Sequence, residues 1–274
     1  MKFAKAIPVL MYHHVSPNPG LVTVTPATFR CHMEDIVRAG YSAIGADDFL
    51  DFLLGQRDLP AKSVLITFDD GYLDNYVHAY PVLRELGLRA TIFAVTGLIG
   101  DDQTRPCAGN GLEPLCPDHR ACKIAIAEGR ADEVMLRWSE IEAMVASGAV
   151  EIHSHTHTHT RWDQSLADPV ERRSALARDL ALSRDTLRQR LGLEDRHLCW
   201  PQGYFDADYV AVARESGFEA LYTTRKHVNT RNTPPQDIGR LVTKERVDGW
   251  LNRRLFIYSS PILGRLYGIL RGEA

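Results

Sequence analysis

The sequence lacks the features that mark a membrane-spanning or a nucleic-acid-binding chain. No stretch of about 18 apolar residues is present, so a transmembrane helix is not expected. The 32 lysines and arginines are outnumbered by 35 acidic residues, for a formal net charge of −3, and no basic run in the first 240 residues resembles a phosphate-binding patch. The first residues contain no apolar segment typical of a signal peptide. We therefore expect a cytoplasmic protein without nucleic-acid partners.

Cysteine is also scarce. Five cysteines among 274 residues are an odd number without dense spacing, so reduced thiols are expected rather than a disulfide framework. Three of them share one segment with a histidine, as Cys107, Cys116, His119 and Cys122. Their spacing matches no standard zinc finger. A second zinc site and a plain insertion over the mouth of the active site both stay open as interpretations of this segment.

Apolar strands alternate with helices along the chain. The predicted strands cover residues 9–15, 64–68, 90–95, 150–152, 197–200, 220–224 and 238–242. Repeated units of this kind indicate a parallel sheet covered by helices, and about seven units favour a closed barrel. In such barrels the chemistry lies at the carboxyl ends of the strands. We expect one catalytic domain over residues 1–245, with an insertion at about 100–136, and a basic amphipathic tail over 246–274.

Helix starts are marked by short polar signals. Thr25-Pro26 and Asp168-Pro169 each combine an N-cap residue with proline at the first helical position. Ser139 and Glu142 have the spacing of a capping box before another helix. A further helix is expected over residues 76–86.

Two segments carry the residues most suited to catalysis. Thr67-Phe68-Asp69-Asp70-Gly71 and Ser154-His155-Thr156-His157-Thr158-His159 each follow a predicted strand. Alone, the first would be read as an ordinary strand end and the second as an exposed metal-scavenging loop.

Together these segments predict a metal-assisted hydrolase. Asp70, His155 and His159 could supply the three protein ligands of a catalytic zinc, which keeps one position open for water. The side chains of adjacent Asp69 and Asp70 diverge, so one can bind metal while the other acts as general base on the bound water.

The same residues resemble the polysaccharide deacetylases with a NodB-homology domain, carbohydrate esterase family 4. The resemblance implies a distorted (β/α)7 barrel and removal of N-acetyl groups from N-acetylhexosamine units, with release of acetate. It implies that Asp69 is the base, that Asp70, His155 and His159 bind the metal, and that the base deprotonates the metal-bound water. His153 and His157 are then not ligands.

A third segment, Cys199-Trp200-Pro201-Gln202-Gly203, is similar to the family motif Arg-x-Pro-aromatic-Gly, which lines the substrate groove. The resemblance implies substrate contacts by Trp200, Pro201, Gln202 and Gly203. Cys199 stands where the family has an arginine that orients the base, and Arg240 is the candidate replacement. Gln202 replaces the aromatic residue, although its backbone N–H could still contribute to an oxyanion site.

The general acid is expected near the first strand. The family's late Leu-x-His segment is absent, and residues 10–15 resemble instead a permuted branch that includes exopolysaccharide poly-N-acetylglucosamine deacetylases. In that branch a Tyr-His pair supplies the acid, which implies His13 here. A packed core histidine is the alternative reading, and His14 and His227 are weaker candidates for the acid.

The cofactor and partners follow from the same resemblance. Zn²⁺ suits the ligand set, as would Co²⁺, Ni²⁺ or Mn²⁺, and the partner is an N-acetylated sugar or glycan. The tail is read either as a membrane-surface segment at the inner face of the membrane or as a helix packed on the barrel. Alternative functions are a deformylase or other amidase, such as a cyclic-imide hydrolase, and a carbohydrate-binding relic without catalysis.

Overall fold

Parallel strands form the centre of the molecule. A computed structural model describes residues 2–271, except for the side chain of Arg271. Its strands are β1 (Val9–Tyr12), β2 (His14–Val15), β3 (Thr23–Val24), β4 (Ser42–Ala43), β5 (Ser63–Asp70), β6 (Ala90–Ala94), β7 (Val150–Ser154), β8 (His197–Cys199), β9 (Ala220–Tyr222) and β10 (Leu241–Val242). The main sheet has the order β10-β1-β5-β6-β7-β8-β9, with β4 beside β5, and β2 pairs separately with β3.

The sheet closes on itself through the segment 238–242. Ile238 bridges to Tyr222 of β9 in parallel, and Leu241 of β10 pairs in parallel with Leu10 of β1. Every residue of the long strand β5 is buried, as is expected of a parallel strand covered on both faces. The predicted distorted (β/α)7 barrel is confirmed.

Helices cover the outside of this barrel. They are α1 (Pro26–Arg38), α2 (Ala46–Leu53), α3 (Tyr80–Glu85), α4 (His119–Ala127), α5 (Trp138–Ala146), α6 (Trp162–Ser165), α7 (Pro169–Leu191), α8 (Ala207–Glu215), α9 (Trp250–Tyr258) and α10 (Pro261–Arg271). Thr25 caps α1 by accepting from the amide of Thr28. Asp168 caps α7 by accepting from the amides of Val170 and Glu171. Both predicted starts are confirmed.

The predicted capping box at Ser139 and Glu142 is wrong. Helix α5 begins at Trp138, and the carboxylate of Glu140 accepts from the amide of Arg137 at 2.9 Å. Ser139 donates instead to the carbonyl of Asp102 at 2.8 Å. A glutamate two residues earlier, Glu140, therefore caps the helix, and its buried carboxylate is also held by Arg105.

Two other predicted elements are interrupted. The first predicted strand breaks at His13, between β1 and β2. The helix predicted over residues 76–86 begins with a π-helical turn, Asn75–Ala79, and continues as α3. Pro81 follows directly in α3, and since proline has no amide hydrogen it cannot supply the next helical hydrogen bond. The π-helical turn therefore lies just before the position where proline leaves a helical hydrogen bond unmade.

The tail and the insertion lie against the barrel. Helix α9 buries Trp250, Leu251, Leu255 and Tyr258 in the main core. Within residues 2–271 no helix is both long enough and apolar enough to cross a membrane. Residues 272–274 of the predicted tail lie outside the described residues, and the division into domain and tail stays a prediction.

The insertion carries helix α4 and buries its three cysteines. Two groups of side chains in the described part of the chain are close enough to hold a metal ion, and neither includes a residue of the insertion. Both readings of the insertion stay predictions.

Candidate functional site

The predicted site residues meet at one end of the barrel, where the strands end. Asp69 and Asp70 are the last residues of β5, and His13 follows β1. His155 follows β7, and Cys199 ends β8. The strands are parallel, so their carboxyl ends share one rim, and residues distant in sequence are brought together there.

Asp70, His155 and His159 form a compact group of possible metal ligands. One carboxylate oxygen of Asp70, Oδ1, lies 3.3 Å from Nε2 of His155 and 3.3 Å from Nε2 of His159. Ligand atoms of a tetrahedral zinc ion, with bonds of about 2.0–2.2 Å, are about 3.4 Å apart. The chemistry and the spacing of this donor set therefore fit a divalent ion.

The surrounding structure orients the two imidazoles. His155 Nδ1 lies 2.8 Å from the carbonyl oxygen of Cys199, and since a carbonyl only accepts, Nδ1 carries the proton. Nε2 of His155 faces Asp70 and is the atom that would bind a metal ion once it is unprotonated. The amide of His159 donates to Thr156 Oγ1 at 3.0 Å, in a turn where His159 has a φ of 59°.

Electrostatics set the charges of this group before a metal ion binds. Burial would lower the pKa of His155, but Cys199 and the hydrogen bond with Asp70 raise it well above the ordinary value, so a metal ion must displace that proton. Burial opposes the charge on Asp70, but the neighbouring imidazoles His155 and His159 hold its pKa well below the usual range. Burial and the charge of His155 lower the pKa of His159 to about 4. At neutral pH the carboxylate is therefore ionised and His159 is neutral, as metal binding requires.

Asp69 lies within ligand distance of His155 and Cys199 and forms a buried ion pair with Arg240. Arg240 Nη1 donates to Oδ1 at 2.6 Å, and Nη2 donates to Oδ2 at 2.8 Å. The remaining donors of the guanidinium reach the carbonyl of Thr223 at 2.8 Å and Cys199 Sγ at 3.1 Å. Burial alone would raise the pKa of Asp69, but the charge of Arg240 holds it below its ordinary value.

His13 lies on the other side of Asp69. Its Nε2 is 3.7 Å from Asp69 Oδ2, and 18% of its side chain is exposed. Burial lowers the pKa of His13, although the carboxylates of Asp69 and Asp70 oppose this shift. An imidazolium with a lowered pKa is a stronger acid than an ordinary one, which suits a proton donor.

The other histidines considered from the sequence are held elsewhere. His14 Nδ1 bonds to Asp74, His153 Nδ1 bonds to Asp195, and His157 Nδ1 bonds to Thr96. His227 lies beside Asp237 at 3.6 Å. None of these four is in the groups of possible ligands found among residues 2–271.

The first residues of the third segment are buried. Trp200, 1% exposed, and Pro201 are buried, and Trp200 packs in a cluster with Phe205 and Tyr209. Arg240 is also buried, and substrate contacts by Trp200, Pro201 and Arg240 stay predictions.

Gln202 and Gly203 form the exposed part of that segment. Gln202 is exposed with a φ of 55°, and its Oε1 accepts from Arg161 at 3.2 Å. Gly203 has a φ of 69°, and a Cβ there would lie 2.2 Å from Thr224 Oγ1. Only glycine fits this close approach. Substrate contacts by Gln202 and Gly203 stay predictions.

Sequence reasoning missed one residue beside the ligands. Tyr72 follows the Asp-Asp-Gly turn directly, and its ring stacks on His14 with 3.8 Å between centroids. Burial and then the charge of Asp70 raise the pKa of Tyr72, so this phenol stays neutral. Its position immediately after Gly71 is the signal that could have identified it.

Comparisons with known proteins agree with this fold and site. A family model described as polysaccharide deacetylase matches residues 56–221, which is more than half of the chain. The barrel and its rim of ionisable groups are those of a hydrolase acting on non-peptide amide bonds. The chain belongs to the polysaccharide deacetylase family, and the resemblance found in the sequence is confirmed.

Individual relatives cover different shares of the chain. YxkH of Bacillus subtilis (strain 168), named as a candidate polysaccharide deacetylase, is 38% identical over 112 residues, which are 39% of this chain and 40% of YxkH. The match thus spans less than half of that curated relative.

Solved structures match over almost the whole chain. IcaB from Ammonifex degensii is 25% identical with a TM-score of 0.71, covering 93% of this chain and 97% of IcaB. This match agrees with the branch named from residues 10–15. A de-N-acetylase from Aggregatibacter actinomycetemcomitans is 22% identical with a TM-score of 0.71, covering 91% of this chain and 99% of that chain. It shows the same fold.

If Asp70, His155 and His159 bind the metal, substitution of His159 should weaken zinc binding and substitution of His157 should not. His159→Ala removes one of three donor atoms, so the affinity for Zn²⁺ should fall by about a hundredfold or more. His157→Ala is the matched control, because His157 bonds to Thr96, and its affinity should stay within about twofold of the wild type. Isothermal titration of the metal-stripped proteins with zinc measures both. Equal zinc affinity in wild type and His159→Ala would remove His159 from the ligand set.

Proposed function

We propose that this protein removes N-acetyl groups from N-acetylhexosamine units of a glycan or glycan precursor and releases acetate. The observation that carries the proposal is the pairing of two adjacent carboxylates with different partners. Asp70 faces two imidazoles, while Asp69 is held at both oxygens by Arg240. Family membership and the structural match to a de-N-acetylase support the reaction type.

Asp70, His155 and His159 would hold the metal ion. Two nitrogens and one carboxylate oxygen suit zinc, and cobalt, nickel and manganese are the other candidates. The family resemblance and the 3.3 Å spacing support a metal here. When bound, the ion would acidify a water molecule and polarise the acetamide carbonyl.

Asp69 is placed to act as the base. Its pKa is held low, so it is ionised and ready to accept a proton from water. Arg240 contacts both oxygens and thereby fixes the plane of the carboxylate. Because its pKa is lowered, protonated Asp69 is a stronger acid than an ordinary carboxylic acid and readily passes the proton on.

His13 is placed to deliver a proton to the leaving amine. Its Nε2 lies 3.7 Å from Asp69 Oδ2, and its lowered pKa makes the imidazole neutral at neutral pH. We infer that the proton moves from water to Asp69 Oδ2, then to His13 Nε2, and from there to the nitrogen of the breaking C–N bond. The proton count balances, and both side chains return to their starting state.

Acetate release by zinc-loaded protein tests this function. The substrates are N-acetylglucosamine oligomers, nucleotide sugars and lipid-linked N-acetylhexosamines. Asp69→Asn keeps the shape of the side chain but removes the base, so kcat should fall by about 10²–10⁴. Asp185→Asn, on the exposed face of α7, is the matched control and should behave like the wild type.

Other outcomes of the same assay separate the alternatives. Full activity in Asp69→Asn would contradict the assigned base. Formate in place of acetate would indicate a deformylase, and sugar affinity without any turnover in metal-loaded protein would indicate a binding relic.

We also propose that helix α10 contacts an anionic membrane surface. The helix exposes Ile262, Leu266, Ile269 and Leu270, of which Leu270 is 84% exposed. The first three also line a cavity together with Val228 and Arg231. Arg265 is exposed on the same helix, and residues 250–271 contain no acidic side chain. Apolar side chains flanked by arginine complement a bilayer with negatively charged headgroups. A location at the inner face of the membrane, like the cytoplasmic location itself, stays a prediction.

Vesicle co-sedimentation tests the membrane contact. Wild-type protein should sediment with phosphatidylglycerol vesicles and not with phosphatidylcholine vesicles, and raised salt should weaken the binding because it screens the arginines. Leu266→Glu should abolish binding, since it places a charge on the apolar face. Leu182→Glu, at an exposed position of α7, is the control and should bind normally. Unchanged binding by Leu266→Glu would refute the contact.

A further inference from the structure

The insertion places a histidine close to the reaction centre. His119, the first residue of α4, lies with Nδ1 3.1 Å from Nε2 of His14. The His119 ring also stands edge-on to Tyr72, with 6.0 Å between ring centroids. Tyr72 is in turn close enough to Asp70 for that carboxylate to act on it. The insertion therefore reaches the edge of the proposed metal site through His119.

A chain of buried hydrogen bonds holds His119 in one orientation. Asp74 Oδ2 lies 2.6 Å from His14 Nδ1, and the side chains of His14 and Asp74 are 0% and 2% exposed. The other oxygen of Asp74 accepts from the amide of Val15 at 3.2 Å. Asp74 is thus anchored to the backbone, and His14 is clamped between Asp74 and the ring of Tyr72.

The same chain selects the tautomer of His119. The Asp74 carboxylate accepts, so His14 Nδ1 carries the proton and His14 Nε2 has a lone pair. That lone pair accepts from Nδ1–H of His119. In this hydrogen-bond arrangement Nε2 of a neutral His119 is left as an acceptor, and the chain that begins at the buried carboxylate of Asp74 sets its orientation.

The free nitrogen of His119 is open to a ligand. His119 is half-buried, and no partner for Nε2 is found among residues 2–271. Burial lowers the pKa of His119, followed by the charge of His14, and the charges of Asp70, Lys123 and His13 also act on it. Asp70 and His13 belong to the rim of the site, so His119 lies within electrostatic range of that rim.

Lys123 extends the same face of α4. It lies four residues after His119, which places both side chains on one side of the helix. Lys123 is exposed, and its charge contributes to the lowered pKa of His159 after burial and the charge of His155. The helix thus presents an acceptor and a cationic donor to the mouth of the site, a combination suited to the hydroxyl groups of a sugar.

We propose that His119 is a substrate-binding residue whose Nε2 accepts a hydrogen bond from a hydroxyl group of the sugar that carries the acetamide. This inference rests on the proposed function, because it takes the sugar class from it. The Asp74–His14 pair acts as the positioning element that keeps Nε2 unprotonated. The insertion thereby supplies a contact that selects sugars with a hydroxyl group at that position.

Steady-state kinetics with matched substrates test the contact. The substrates are an N-acetylglucosamine oligomer and analogues in which single hydroxyl groups of the reacting sugar are replaced by hydrogen. His119→Ala should raise KM for the full substrate by about five- to tenfold with kcat nearly unchanged. His119→Gln keeps an acceptor near the position of Nε2 and should restore most of the loss. Arg120→Ala, at the next and exposed residue of α4, is the control and should match the wild type.

The analogue series separates a sugar contact from a structural role. One deoxy analogue should show the raised KM with wild-type protein, and His119→Ala should add no further loss on that analogue. An equal loss from His119→Ala on every analogue, or an unchanged KM on the full substrate, would overturn the proposal.

A binding measurement tests the inference in a protein that does not turn over the substrate. Nitrogen-15 NMR of labelled histidines in zinc-loaded Asp69→Asn protein should show His119 protonated at Nδ1, with an Nε2 resonance that shifts when the N-acetylglucosamine oligomer is added. Protonation at Nε2, no binding, or binding without a shift would overturn the inference. A clear shift together with no acetate from any substrate would overturn the proposed function alone.

Discussion

The buried ion pair between Asp69 and Arg240 is the interaction on which the site depends. Both side chains are almost fully enclosed, with 3% exposure for Asp69 and 0% for Arg240, and a buried charge without a partner is strongly unfavourable. The buried charges have hydrogen-bond partners, because Arg240 donates to both carboxylate oxygens of Asp69 and also to the carbonyl of Thr223. Arg240 belongs to the segment that closes the barrel between β9 and β1. Closure of the fold and ionisation of Asp69, the proposed base, are therefore linked through one guanidinium.

The same constraint explains how two adjacent carboxylates differ in chemistry. Consecutive side chains of a strand point to opposite faces, so Asp69 faces the interior and its arginine. Asp70, with a φ of 75°, turns out of the strand toward His155 and His159. Each carboxylate is ionised through a different partner, and neither competes for the partner of the other. One position then suits a ligand and its neighbour suits a base.

Local sequence signals made part of the fold and part of the site predictable. The barrel follows from apolar strands alternating with helices, and the caps at Thr25 and Asp168 follow from residue preferences at helix starts. The ligand candidates follow from their place after predicted strands. Burial of Trp200 was not predictable from the motif, because it depends on packing with side chains from α8 and the loop before it. His119 belongs to an insertion without strand–helix periodicity, and only the fold brings it to His14.

Turnover by Arg240→Lys addresses the role of this pair most directly. Lysine keeps the charge but offers a single ammonium, which cannot bond both oxygens of Asp69 in the fixed fork of a guanidinium. We expect kcat for acetate release from N-acetylglucosamine oligomers to fall by about tenfold or more, with KM and bound zinc close to the wild-type values. A kcat within about twofold of the wild type, at equal zinc content, would contradict the dependence of the base on Arg240.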